Sequence, residues 1–293
     1  MKHLRVLAIS LAILCVMLLP TAQCNVDNHT AALWHFDEGT GTTAYDASPN
    51  GNDGNIIGAI YVPGKFNYSL EFDGLDDYVE VPDSSSLNLT DEVTIEAWVN
   101  WKGTGDSWQT IVTKGIHYAG SNENYALYIN RDGKYVCFVL TTENDGRVYF
   151  SSPLNSVHVG AWFHVMATYN GTEGVAKIYL NARLEATETS FSGNLTTNDQ
   201  SLRIGHRQYS NHYFNGTLDK VRIGNKAAIP HKILGDVNGD GKVDIQDIAL
   251  VTFAFGSYPE HPRWNPDCDF NGDNKVDIRD IVIVAKEYGK TWS

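Results

Sequence analysis

The chain has 293 residues, of which 35 are Asp or Glu and 22 are Lys or Arg, so its formal net charge is −13. Because nucleic acid is bound through clustered Lys and Arg, this balance argues against a nucleic-acid partner. Of the four cysteines, Cys15 lies in the apolar N-terminal run and three remain, an odd number, so no disulfide framework is predicted.

The N-terminus has the pattern of a secretory signal. Lys2 and Arg5 precede an apolar run over residues 6–19, which Pro20 and small residues follow. We predict a signal peptide at residues 1–24. A lipoprotein anchored through Cys24, which Gln23 disfavours, and an uncleaved membrane anchor are the alternatives. No second apolar stretch of spanning length follows, so we expect a secreted, cell-surface-associated protein with no membrane span after signal removal.

Residues 30–226 are predicted to form one β domain, because short apolar runs alternate with turns rich in Gly, Asn and Asp. The clearest strand is EVTIEAWVNW, in which successive side chains point to opposite faces. One face consists of Val93, Ile95, Ala97, Val99 and Trp101, and the other of Thr94, Glu96, Trp98 and Asn100. Further strands are predicted at SLEFDG, DYVEVP, NYALYINR, KYVCFVL, RVYFSS, WFHVMATYN, AKIYLN, SLRIGH and FNGTLDKVRIG. About 200 residues in this pattern fit a single sandwich.

Outward aromatic side chains are the candidate ligand face, because sugars dock on aromatic planes edged by polar groups. The candidates are Trp98, Trp108 in the predicted loop GTGDSWQ, and Tyr209 and Tyr213 beside RQYSNHYF. Trp98 could instead pack beneath a covering loop, and the tyrosines could be ordinary surface residues.

No catalytic set is predicted. A glycosidase needs two carboxylates flanking the cleft. Glu71 and Asp73 are the nearest approach to such a pair, and Glu96 stands alone on its strand. The histidines show neither metal-ligand nor triad spacing. We therefore expect a protein that is not an enzyme.

The β domain resembles the laminin-G-like, concanavalin A-like jelly rolls. The resemblance is carried in order by ALWHFDEGTGTTAYDASPNGNDG, SLEFDGLDDYVEVP, VTIEAWVNW, GAWFHVMATYNG, KIYLNARLEA, LRIG and FNGTLDKVRIGNKA. It implies two antiparallel sheets, one of them curved, frequent carbohydrate or protein binding, and often a structural calcium. Asp46 and Asp219 are the candidate ligands of that calcium; their alternative role is to cap turns.

A short connector, residues 227–234, leads to a repeated motif. DVNGDGKVDIQD and DFNGDNKVDIRD begin 33 residues apart (269 − 236 = 33) and match the ligand spacing of an EF-hand calcium loop. Gly241 allows the sharp turn at position 6 of the first loop. Asn274 replaces it in the second loop, and Asn is the residue that, after Gly, best tolerates a left-handed backbone. The first loop offers the side chains of Asp236, Asn238, Asp240, Asp244 and Asp247 and the backbone carbonyl of Lys242. The second offers Asp269, Asn271, Asp273, Asp277 and Asp280 and the carbonyl of Lys275.

A helix with a terminal glycine, Gly256 or Gly289, is predicted after each loop. The predicted apolar stripes are Ile245, Ile248, Val251 and Phe255 in one helix and Ile278, Ile281, Val284, Ala285 and Tyr288 in the other. Prolines before both loops exclude entering helices. This duplicated loop–helix unit, residues 235–291, resembles a dockerin domain. The resemblance implies two calcium ions and a cohesin-like receptor. Ile245-Gln246 and Ile278-Arg279 stand where cellulosomal dockerins often carry Ser-Thr, so another surface protein is the alternative partner.

Taken together, the sequence predicts an all-β jelly-roll sandwich followed by a small α-helical calcium-binding dockerin domain. We expect a secreted, non-catalytic protein that binds a glycan or glycoprotein and is tethered by its C-terminal module. The alternatives are a glycoside hydrolase of the concanavalin A-like superfamily and a structural surface or matrix protein.

Overall fold

The computed structural model describes residues 28–116, 123–230, 234–238 and 242–291. The predicted signal peptide lies outside the described residues, as do Asp240 and Gly241 of the first calcium loop. No helix in the described part of the chain is long and apolar enough to span a membrane.

Sixteen β-strands lie within the described residues. They are β1 (Thr30–Trp34), β2 (Thr43–Ala44), β3 (Gly54–Ile57), β4 (Ile60–Pro63), β5 (Tyr68–Asp73), β6 (Tyr78–Val81), β7 (Glu92–Trp101), β8 (Trp108–Gly115), β9 (Glu123–Asn130), β10 (Tyr135–Thr142), β11 (Gly146–Ser151), β12 (Trp162–Asn170), β13 (Val175–Leu180), β14 (Arg183–Glu188), β15 (Leu202–Ile204) and β16 (Asn215–Gly224).

The strands form two antiparallel sheets, each of eight strands in the described chain. The first sheet has the order β14-β13-β12-β7-β16-β5-β4, with β1 also paired to β16. The second has the order β11-β10-β9-β8-β15-β6-β3-β2. The crossovers between distant strands are those of a jelly-roll sandwich, and they confirm the predicted fold class.

One hydrophobic core joins the two sheets. The first sheet contributes Trp34, Trp101 and Tyr169, and the second contributes Tyr125 and Phe138, all fully or almost fully buried. The predicted inward face of β7 lies in this core along its whole length. Strand β8 was not predicted from the sequence. Its first two residues, Trp108 and Gln109, were placed in the loop GTGDSWQ.

The C-terminal module contains helices α1 (Ile245–Ala254) and α2 (Ile278–Glu287). A single 3₁₀ turn, Pro266–Cys268, precedes the second loop, so the described residues contain no entering helix. Gly256 and Gly289 follow the helices at φ +77° and +87°, as a C-terminal glycine cap requires.

The two repeats are joined by exchanged backbone hydrogen bonds. The N–H of Gly256 donates to the carbonyl of Val276, and the N–H of Gly289 donates to that of Val243, both at 2.8 Å. Around this exchange lies a small core of Val243, Val251, Ala254, Cys268, Val276 and Val284.

The predicted helix stripes are partly wrong. Val251 and Val284 are buried, but Ile245 and Ile278, at equivalent positions of the two repeats, are 65% and 60% exposed. Phe255 and Tyr288 are also exposed. The buried side of α1 is rotated toward Ala254 and Asp247, because the carboxylate of Asp247 turns inward onto its loop.

Candidate functional site

A groove of about 390 Å³ lies on the outer face of the second sheet, over strands β8 to β11. Strand register assembles it, since Trp108 and Tyr135 both pair with Asn130 and Tyr128 pairs with Cys137. The indole of Trp108 meets the rings of Tyr128 and Tyr135 edge-on, with centroids 6.5 and 6.1 Å apart. The groove is lined by Trp108, Tyr128, Tyr135, Cys137, Val139, Arg147, Tyr149, Arg207 and His212.

A buried carboxylate organises the polar end of the groove. Glu123 is fully buried and accepts hydrogen bonds from the Tyr128 hydroxyl and, at 2.8 Å, from Nε of Arg147. A guanidinium nitrogen of Arg207 lies 3.8 Å from the same carboxylate, and its guanidinium lies over the Tyr128 ring. Because an ion pair fixes the orientation of a flexible side chain, this cluster holds the arginines at the groove wall.

Tyr128, His212 and Cys137 are shifted toward their neutral forms. Burial, followed by the neighbouring Glu123 carboxylate, raises the pKa of Tyr128 well above its usual value. Burial, followed by Arg207, lowers the pKa of His212. Burial raises the pKa of the Cys137 thiol to about 11. At neutral pH these three side chains are therefore uncharged beside the two arginine cations.

Of the predicted ligand face, the structure places only Trp108 in this groove. Tyr209 is 72% exposed and Tyr213 stacks on His206, with ring centroids 3.9 Å apart, but neither lines the groove. Their loop instead contributes Arg207 and His212.

The structure does not place Trp98 on an exposed ligand face. It is 2% exposed, because the loop after β4 covers it. Phe66 meets its ring edge-on at 5.7 Å and Nζ of Lys65 lies 4.7 Å from its centroid. The ring of His164 lies on the indole as well, at 5.2 Å. The alternative stated for Trp98, packing under a covering loop, is the arrangement found.

Most of the groove was missed by sequence reasoning, although a signal exists. In β9, β10 and β11 the residues that alternate with the core-facing ones, and so face outward, include Tyr128, Tyr135, Arg147 and Tyr149. A half-buried sheet normally carries small polar side chains on its outer face. Large aromatic and cationic side chains on three consecutive strands would have indicated a binding face.

The carboxylates considered for catalysis have structural partners. Glu71 forms an ion pair with Lys102. Glu96 contacts His164 at 2.9 Å and Arg222 at 3.3 Å. Burial favours a higher pKa for Glu96, but its contacts with His164 and then Arg222 bring the pKa below its usual value. Glu96 is therefore an ionised member of a salt bridge on the first sheet, on a different sheet from the groove.

The predicted sandwich calcium ligands are not brought into one metal cluster. Asp46 holds a turn, accepting the N–H groups of Leu33, Ser48 and Asn52 at 2.8–2.9 Å. Asp219 is fully buried and accepts the N–H of Phe66 at 2.9 Å, and burial raises its pKa to about 7. In the described chain the one group of three carboxylates within 4.8 Å is Asp73, Asp76 and Asp77, in the turn after β5. Turn formation thus accounts for Asp46, whereas Asp219 pins the loop that covers Trp98.

The second calcium loop has the oxygen donors and the backbone that calcium needs. Asn274, at position 6, adopts φ +63°, so Asn fills the left-handed position as predicted. Asp269 accepts the N–H groups of Gly272, Asp273 and Asn274 at 2.8–3.2 Å. These bonds curl the backbone around the position-1 carboxylate. Asn271 and Lys275 complete the described loop, Asn271 by accepting the N–H of Asp273 at 2.9 Å.

The last ligand position is held by three backbone N–H groups in both loops. Asp247 and Asp280 are fully buried. Asp247 accepts the N–H groups of Val237, Asn238 and Asp244 at 2.8, 3.2 and 2.8 Å. Asp280 accepts the equivalent N–H groups, those of Phe270, Asn271 and Asp277, at 2.8, 3.4 and 2.8 Å. Asp244 and Asp277 are the N-caps of α1 and α2. Each loop is thereby closed onto its helix.

The two loops differ in one charged contact. Arg279 lies 2.7 Å from Asp273 and 2.6 Å from Asp277, two predicted ligands of the second loop. Its hydrogen bond lowers the pKa of Asp277. Gln246 occupies the equivalent position, the eleventh residue of the first loop. A calcium ion in the second loop would therefore have to compete with the Arg279 guanidinium for two of its predicted ligands.

Comparison with known proteins supports both modules. The family model described as the concanavalin A-like lectin/glucanases superfamily (Laminin_G_3) matches residues 72–234. The model of the dockerin type I domain matches residues 234–289. No curated protein matches the chain in sequence.

Solved structures share the sandwich fold at low sequence identity. The binding domain of botulinum neurotoxin serotype G is 13% identical with a TM-score of 0.53, over 68% of this chain and 48% of that chain. The binding domain of Paraclostridial Mosquitocidal Protein 1 is 12% identical with a TM-score of 0.53, over 78% and 54%. This chain thus spans about half the length of these binding domains.

A further neighbour is matched over nearly its whole length. Domain 4 of AbnA, a GH43 extracellular arabinanase from Geobacillus stearothermophilus, was solved in complex with arabinotriose. It is 18% identical with a TM-score of 0.52, over 69% of this chain and 94% of that chain. Identities this low indicate a common fold and nothing more. From its family matches, the chain belongs to the concanavalin A-like lectin/glucanases superfamily and carries a C-terminal dockerin type I domain.

Proposed function

We propose that the protein is a secreted, non-catalytic carbohydrate-binding protein, tethered to a surface or a multiprotein assembly through its dockerin domain. The observation that carries the proposal is the groove on the second sheet. Its aromatic wall of Trp108, Tyr128 and Tyr135 offers apolar ring surface, and its arginines offer hydrogen-bond donors. A concave site with this mixture is typical of a small-ligand pocket.

The volume and position of the groove also favour a glycan ligand. Its volume of about 390 Å³ is near the lower end for ligand sites, which suits a chain that lies along an open groove. The arabinotriose-bound domain of AbnA has the same fold, which supports this type of ligand for such a sandwich. A glycosidase reaction in the groove would need a carboxylate pair there, and none of its nine lining residues is acidic.

The tether is proposed to work through calcium and an exposed apolar surface. Dockerin type I domains bind calcium and dock to cohesins. We propose one ion in each loop. Ile245 and Ile278 occupy the place where cellulosomal dockerins often carry Ser-Thr, and both are exposed. An apolar receptor surface, either a cohesin adapted to these residues or another surface protein, would complement them.

Binding of the full chain to a panel of polysaccharides, measured by affinity electrophoresis and calorimetry, tests the proposal. Trp108→Ala should abolish binding, since aromatic stacking supplies much of the contact. Tyr209→Ala is the matched control, because it removes an exposed aromatic outside the groove. Binding to no glycan, or equal binding by both variants, would overturn the proposal and favour the matrix-protein alternative. Release of reducing sugars from β-glucans would favour the hydrolase.

A further inference from the structure

The charged side chains that line the groove are cationic, in a protein of net charge −13. They are Arg147 and Arg207, and the Glu123 carboxylate that both approach is fully buried behind them. The His212 imidazole, whose pKa burial and Arg207 lower, is neutral. Two cations against one anion leave about one positive charge facing the ligand.

Arg147 has hydrogen-bonding capacity left for a ligand. Its bond to Glu123 uses Nε, at 2.8 Å, and no bond of its two terminal amino groups to another described residue is found. The side chain is 29% exposed, whereas the Glu123 carboxylate is not exposed at all. Arg207 is more enclosed, since Nε donates to the hydroxyl of Ser210 at 3.3 Å and its guanidinium lies over Tyr128.

The aromatic and cationic parts of the groove meet at Tyr128. The Tyr128 ring lies 6.5 Å from the Trp108 indole, and the Tyr128 hydroxyl donates to the same Glu123 carboxylate as Nε of Arg147. A sugar ring that stacks on the aromatic wall can therefore place an anionic group of its own, or of a neighbouring ring, at the Arg147 guanidinium.

We propose that the groove selects a glycan with anionic groups, either uronic acid carboxylates or sulfate esters. This rests on the proposed carbohydrate-binding function and specifies its ligand. A planar guanidinium with two free donors matches the two oxygens of a carboxylate or sulfate. A neutral sugar could satisfy those donors with hydroxyls, but it would leave the groove's positive charge uncompensated.

The test is calorimetric titration of the full chain with matched oligosaccharides. Tetra- to hexasaccharides of galacturonate and glucuronate are compared with their carboxyl-reduced neutral forms and with sulfated forms of those neutral chains. We expect the uronate or the sulfated form to bind about tenfold more tightly than the neutral form, the size of a charge-assisted hydrogen bond. Raising the salt concentration should weaken only the anionic ligands.

Three variants separate the contributions. Arg147→Gln should abolish the preference, Trp108→Ala should weaken every ligand, and Arg183→Gln should change nothing. Arg183 is the matched control because it loses the same charge from edge strand β14 of the other sheet. Should Arg147→Gln melt at a lower temperature, Arg147→Lys is used in its place; it keeps a cation beside Glu123 and should reduce the preference, because Lys lacks the planar fork that pairs with two oxygens. A preference left intact by Arg147→Gln in the folded chain would overturn the proposal.

The remaining outcomes distinguish the two proposals. Equal affinity for the anionic and neutral forms, with both lost in Trp108→Ala, would refute the anionic preference and leave carbohydrate binding standing. Binding of neither member of any pair would overturn both.

Discussion

Asp247→Ala should unfold the C-terminal module. The buried Asp247 carboxylate accepts three backbone N–H groups at 2.8–3.2 Å, from Val237, Asn238 and Asp244. A hydrogen bond to a charged group contributes about 1.5 kcal/mol or more. The three together contribute roughly 4 to 5 kcal/mol, and alanine replaces none of them. A module of about 60 residues has a total stability of only about 3 to 5 kcal/mol from its core. The substitution therefore removes a free energy comparable to the whole.

The assay is thermal denaturation of residues 228–293 in excess calcium, followed by circular dichroism at 222 nm. Asp247→Asn keeps one acceptor oxygen, so we expect it to lower the free energy of unfolding by about half as much. Gln246→Ala is the matched control, because Gln246 is an exposed neighbour in the first turn of the same helix. An Asp247→Ala module that melts with the control would refute the assignment of Asp247 as the residue that closes the loop.

Three further predictions concern calcium and pH. Excess chelator should remove the helical signal of residues 228–293, since the carboxylates of both loops repel one another without metal; an unchanged signal would show that calcium is dispensable. Arg279→Gln should tighten the second calcium site by a few-fold, and Gln246→Arg should weaken the first, as exposed ion pairs allow; direct calcium titration that shows no change in either would contradict competition by Arg279. Asp219 has a raised pKa of about 7, so the folded state retains its proton where the unfolded state has lost it, and stability should fall as pH rises from about 4 to 7. Asp219→Asn should therefore raise the melting temperature relative to wild type by more at pH 8 than at pH 5, and an equal gain at both pH values would contradict this.

The duplicated loop–helix unit could be predicted from the sequence because its information is local. Ligands at positions 1, 3, 5, 9 and 12 and a left-handed residue at position 6 are properties of twelve consecutive residues. Asn274 illustrates this, since its tolerance of positive φ was sufficient to predict its backbone. The sandwich strands were predictable for the same reason, because alternation is visible within one strand.

The groove and the buried acids could not be predicted in this way because they depend on distant segments. Trp98 has the phase of an outward residue, and it is buried by His164 and by the loop at residues 64–67, some 30 positions earlier. The same loop gives Asp219 its partner. Trp108 was placed in a loop because Gly and Asp precede it, whereas its role follows from register with β9 and β10. Strand register across a sheet is set by the packed core rather than by either strand alone.

The exchanged hydrogen bonds of the C-terminal module link its two loops. Val243 is position 8 of the first loop and receives the N–H that ends α2, while Val276 is position 8 of the second and receives the N–H that ends α1. An ion that orders one loop therefore also fixes the far end of the helix that leaves the other. That helix carries the last predicted ligand of its own loop in its first turn, so the first ion would already supply part of the ordering that the second site requires. Calcium should consequently bind with positive cooperativity, and the module should respond to a narrow range of calcium concentration.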